Sequence, residues 1–173
     1  MRQTGISNSE NYERGFSSKG QPPVLSVETK KARLNMISAL SSQGEVRYTL
    51  YEGSMDQQRM IAFLRNMIRT SRQKIFLILD NLKVHHGNMV AEWVSRHSDK
   101  IELFFLPPYA PESNPDEYLN HALKLSVHTG DLPNNVSDIR HKTNSYMRTL
   151  QRNKFKVSAF FHHPLVSYAC IRG

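Results

Sequence analysis

Ile75-Phe-Leu-Ile-Leu-Asp80-Asn81 decides how the rest of the chain is read. The apolar run predicts a buried strand that ends on Asp80 and Asn81, whose side chains then face a crevice. Before it, Met60, Leu64, Met67 and Ile68 recur at helical intervals, and Ser54 with Gln57 has the spacing of a capping box, so a helix is expected from about Met55 to Thr70. After it, Val90, Trp93, Val94 and His97 give a second amphipathic helix, followed by an apolar strand from Ile101 to Leu106. Strand, helix, strand, helix indicates an α/β layered arrangement, in which functional groups gather at the carboxyl ends of the strands.

Further upstream, Arg33 to Leu40 and Glu45 to Tyr51 read as an antiparallel hairpin turned by Ser41-Ser-Gln-Gly44, with Val46, Tyr48 and Leu50 alternating against polar neighbours. Arg2 to Glu28 is rich in Ser, Asn, Gly and Pro and is expected to be loop or weakly ordered. Downstream, Tyr118, Leu119, Ala122 and Leu123 mark one helix, Ile139, Tyr146, Met147 and Leu150 another, and Phe155 to Phe161 a short last one.

The chemistry rests on two carboxylates. Asp80 closes the apolar strand, and Glu117 follows Pro107-Pro-Tyr-Ala-Pro-Glu-Ser-Asn-Pro-Asp-Glu117, a stretch that opens a helix. Acids far apart in sequence, one at a strand end and one on a following helix, are what a magnesium or manganese site for phosphodiester chemistry needs. Each acid alone has a structural explanation: Asp-Asn as turn chemistry, and Glu117 as the third residue after an Asn114 cap with Pro115 at the first helical position. Asp116 reads as a partner for the helix dipole. His85 and His86 lie near Asp80 without a Cys or His partner at zinc-site spacing, and His86, His162 and His163 read as surface residues. Trp93 reads as core. Arg33, Arg47, Lys83, Lys124 and Arg148 could meet phosphates or simply face solvent.

The 173 residues suit one domain, with residues 1–28 loop-rich and residues 29–173 forming the α/β core and carboxyl-terminal helices. The net charge of +8 suits a polyanionic partner, nucleic acid first. The lone Cys170 excludes an intrachain disulfide. No apolar stretch approaches the roughly 20 residues that span a bilayer, and residues 1–20 lack a signal-peptide core, so a soluble, cytoplasmic protein is expected.

Phe76-Leu-Ile-Leu-Asp80-Asn81-Leu-Lys-Val-His85, followed by Leu106-Pro-Pro-Tyr-Ala-Pro-Glu-Ser-Asn-Pro-Asp-Glu117, resembles the catalytic domain of the DDE transposases of the mariner superfamily, in its bacterial insertion-sequence branch. The resemblance extends from Thr4-Gly5-Ile6 through Lys19-Gly-Gln-Pro-Pro23 to the carboxyl-terminal helices. It implies a ribonuclease H-like mixed sheet flanked by helices, three carboxylates holding Mg2+ or Mn2+, and DNA strand cleavage and transfer. The implied partners are DNA (insertion-sequence ends and target) and a homodimer mate or full-length transposase. Asp80 matches the second carboxylate and Glu117 the third, and His85 matches a recurring histidine. The first belongs to a run like Asp-Glu-Thr-Gly, and aligning on Gly5 puts Arg2 in its place. The expectation is therefore a truncated or frameshifted copy lacking the first, central strand and the first carboxylate, inactive alone. The alternative is a non-catalytic basic remnant that grips DNA or interferes with a transposase.

Overall fold

The computed structural model describes residues 1–8, 32–80, 87–107 and 114–166. Asn81, Lys83, His85, His86, residues 108–113, residues 19–23 and Cys170, which the sequence singles out, lie outside the described residues.

Five strands and five helices are described, in the order β1 (Arg2–Ser7), β2 (Arg33–Leu40), β3 (Val46–Tyr51), α1 (Gln57–Thr70), β4 (Ile75–Leu79), α2 (Asn88–Ser95), β5 (Ile101–Phe105), α3 (Pro115–His128), α4 (Val136–Gln151) and α5 (Lys154–Ala159). The first three strands form an antiparallel sheet in the order β1-β2-β3, and β4 and β5 pair in parallel. Met1 joins the two pieces. Its ammonium donates to the Ile78 carbonyl at 2.7 Å, and its own carbonyl accepts from the Asp80 N–H at 3.5 Å. The strands thus stand in the order 3-2-1-4-5.

The expectation that the central strand is absent is corrected here. Arg2 to Ser7 is a strand, in unbroken register with β2 from Arg2 opposite Ser38 to Ser7 opposite Arg33. Its sequence hides this because Ile6 is its one large apolar residue, so the strand is specified by its partner rather than by its own pattern. The expectation of loop from Arg2 onward therefore fails over Arg2 to Ser7.

β2 shows what a central strand looks like: six consecutive buried residues, whose side chains alternate between two cores. Ile37 and Ala39 enter a cluster with Met60, Phe63, Leu64 and Met67 of α1 and Leu77 and Leu79 of β4. Leu34 and Met36 enter the other, with Leu119, Leu123 and Val127 of α3 and Ile139, Met147 and Leu150 of α4. Helices therefore cover both faces. Trp93 is half-buried against the first cluster and stacks on His97, with ring centroids 4.2 Å apart, as the core reading expects.

Local boundaries follow side-chain chemistry. The cap of α1 is Asp56, which accepts from the Arg59 N–H at 2.7 Å, in place of the Ser54 box read from sequence. The β2–β3 turn needs Gly44 for two reasons: its φ is +86°, and a Cβ there would lie 2.4 Å from the Lys154 carbonyl of α5. Gly44→Ala is expected to destabilise the fold by more than about 1 kcal/mol, read as a lower urea midpoint at unchanged slope.

Burial raises the Tyr51 phenol to about 12, against the downward pull of Gln3, Arg59 and Arg33. A folded value above the unfolded one, near 10, means that this contribution to stability is complete below pH 10 and is lost as pH rises towards 12. Alkaline unfolding followed across that window should lose this slope in Tyr51→Phe.

Candidate active site

Asp80 lies just beyond β4, and Glu117 lies in the first turn of α3. Met1 links the two places. The Met1 carbonyl that accepts from the Asp80 N–H also accepts from the Asn114 side-chain amide at 3.3 Å. Asn114 in turn caps α3, accepting from the Asp116 N–H at 3.1 Å, with Pro115 at the first helical position where no donor is needed. The Glu117 N–H donates to the Asn114 backbone carbonyl at 2.9 Å, as the first turn of a helix capped by Asn114 requires. Strand end and helix start are thereby held together through one backbone carbonyl.

Asp116 stands in the first turn of α3, where the sequence places a helix-dipole partner, and it is also fully buried: it lies 3.1 Å from the Met1 ammonium and accepts from the Ser38 hydroxyl at 2.7 Å. Burial pushes its carboxyl up from the ordinary range and the charge of Asp80 adds to this, while the ammonium and Ser38 pull it down. A signal for its burial was present. The buried stripe of α3 is Leu119, Asn120, Leu123 and Val127, and stepping back at helical spacing lands on Asp116. Glu117, one residue on, falls off that stripe and is half-buried.

Among the described residues no group of three His, Cys, Asp or Glu side chains is placed to hold a metal ion. The acid beside Glu117 is already committed to the ammonium and Ser38, so the set offers two candidate oxygen ligands and does not fit a complete two-ion site. Of the proposed phosphate contacts, Arg47 points inward and donates to the Met67 carbonyl at 2.7 Å. His162 and His163 are exposed, as expected.

A mixed sheet in this order, with helices on both faces and an acid beyond the fourth strand, defines the ribonuclease H-like class of α/β domain. The chain is similar to the catalytic domain of Mos1 mariner transposase (15% identity, TM-score 0.58, 87% of this chain and 79% of that one). It is also similar to the Mos1 mariner paired-end complex with Mn (14%, 0.68, 99% and 55%) and a simian T-cell lymphotropic virus intasome (17%, 0.55, 80% and 51%). The chain thus spans about 55% of the transposase in the paired-end complex. Among curated proteins none matches. Residues 2–140 match the sequence profile of the DDE superfamily endonucleases, and the chain belongs to that family.

Asp116→Ala removes the counter-charge of a buried ammonium and the acceptor of Ser38, and is expected to cost about 3–5 kcal/mol in urea unfolding. Ser38→Ala, which leaves the ion pair in place, should cost about 1–3 kcal/mol.

Proposed function

We propose that this chain is the catalytic-domain part of an insertion-sequence transposase, that Asp80 and Glu117 are the second and third carboxylates of its divalent-cation site, and that it does not cleave or transfer DNA strands by itself. The observation that carries the reading is the shared Met1 carbonyl, which ties the Asp80 end of β4 to the Asn114 cap of the Glu117 helix. Family membership supplies the reaction class, and the net charge of +8 suits DNA.

The incompleteness follows from charge. Two cations at close range need carboxylate charge between them, and Arg2 stands where the first acid belongs. Asp116 does not replace it, because its charge is answered by the ammonium at 3.1 Å. Asp80 and Glu117 are expected to hold one Mg2+ or Mn2+ ion weakly.

Mn2+ binding followed by electron paramagnetic resonance should show one site weakened at least about tenfold by Asp80→Asn and by Glu117→Gln, a loss of about 1.4 kcal/mol each. The same chain should leave supercoiled plasmid intact in Mn2+. Mn2+ binding indifferent to both substitutions would remove these residues from the site, and nicking abolished by Asp80→Asn would show a competent enzyme.

A further inference from the structure

From Ile139 to Val166 the chain carries six Lys and Arg and no Asp or Glu. Two of the six are engaged within the fold. Arg140 pairs with Glu52 at 2.8 Å, and the Lys142 ammonium bonds the Val127 and Thr129 carbonyls at the end of α3. The other four, Arg148, Arg152, Lys154 and Lys156, are exposed and form no ion pair among the described residues. The acids flanking the neighbouring β3 face other cations, Glu45 lying 3.7 Å from Arg47 and Glu52 bonding Arg140.

These cations stand on a fixed frame. The Gln151 side-chain amide donates to the Val46 carbonyl at 3.2 Å and the Tyr48 hydroxyl donates to Asn144 at 2.9 Å, which holds the second half of α4 on β3. Asn153 then caps α5, accepting from the Lys156 N–H at 3.0 Å. Val157 turns into the core. Phe155, two residues earlier and so on the opposite side of the helix, is 79% exposed, more than any other large apolar residue described. Lys154 and Lys156 flank it in sequence, and the Lys156 ammonium stands 5.4 Å from the centre of the Tyr146 ring.

The surface is remote from Asp80. β2 runs antiparallel to β1, whereas Met1 bonds β4 in the parallel sense, so the β2–β3 turn lies towards the start of β4 and Asp80 lies at its other end. The Lys154 backbone rests against Gly44 of that turn.

We propose that the end of α4 and α5 together bind single-stranded DNA, with Arg148, Arg152, Lys154 and Lys156 meeting phosphates and Phe155 stacking on a base. This goes beyond the cation site of Asp80 and Glu117 and does not depend on it. One exposed phenyl ring is ordinary by itself. Among four cations without counter-charges it completes the two parts of a single-strand platform, charge for the backbone and a π face for the bases. A duplex turns its bases inward, so it would use the cations and leave the ring in water, and an acidic peptide would do the same. A membrane surface needs a broad apolar face, and α5 is six residues long with Phe155 alone as a large apolar side chain largely in solvent.

The test is fluorescence anisotropy of a labelled oligothymidylate of about 12 nucleotides titrated with the whole chain. Titrations are run in EDTA at several salt concentrations, so the state of the cation site does not enter the result. Saturable binding is expected, with a log–log salt slope of about −2 to −3, as three or four phosphate contacts on a single strand give. Phe155→Ala should weaken binding about tenfold at unchanged slope, and Lys154→Gln combined with Lys156→Gln should reduce the slope by about 1.4. All three side chains are exposed, so these variants should keep the parent's urea midpoint. Arg65→Gln, which removes an exposed cation of α1, should leave binding within about twofold. Absence of saturable binding would overturn the proposal, as would undiminished binding by Phe155→Ala, a duplex of the same sequence bound as tightly as the single strand, or an equal loss in Arg65→Gln. Tighter binding of oligouridylate than of oligothymidylate would overturn the assignment to DNA.

Discussion

The buried pair between the Met1 ammonium and Asp116 is the constraint on which the rest of the arrangement turns. A carboxylate and an ammonium removed from water each carry a desolvation cost of several kcal/mol, and they persist only where the partner and further hydrogen bonds are in place. Here Ser38 and the Ile78 carbonyl supply those bonds, so one small node touches β2, β4 and α3 together. It fixes where the end of β4 lies relative to the start of that helix. The two acids proposed for the site are neighbours of this node.

Much of the architecture could be read from the sequence because it rests on local periodicity. α1 and α3 bury residues at spacings visible in the chain, β4 buries Leu77 and Leu79 and β5 only Ile101, and the Asn114-Pro115 start of α3 carries its own cap. β1 could not be read in this way. A strand with one large apolar residue becomes a strand only when a neighbour presents matching backbone groups, and that is tertiary information. The burial of Asp116 was missed for a different reason. An acid in a first turn has a good surface explanation, and nothing local reveals that an ammonium lies on the other side. Asp80 and Glu117 were legible as residues, but the link between them passes through a backbone carbonyl at the far end of the chain.

The two faces of the sheet are unequally covered. α1 and α2 close the side that receives Leu77 and Leu79, while the opposite side of the parallel pair leaves Phe76 and Phe104 largely in solvent, their rings 6.3 Å apart. α3, α4 and α5 pack on the antiparallel half instead. The parallel pair is thus packed on one face, against α1 and α2, and local opening is expected to begin at its exposed face.

Gly44 places a geometric limit on the hairpin. Its backbone rests so close to the Lys154 carbonyl that the turn acts as a clasp between the sheet and the last described helix. Lengthening that turn would lift the clasp at Lys154. Changes of length among relatives of this chain are therefore expected in loops other than residues 41–44, so the spacing between β2 and β3 is a more durable marker of this fold than the residues that fill the turn.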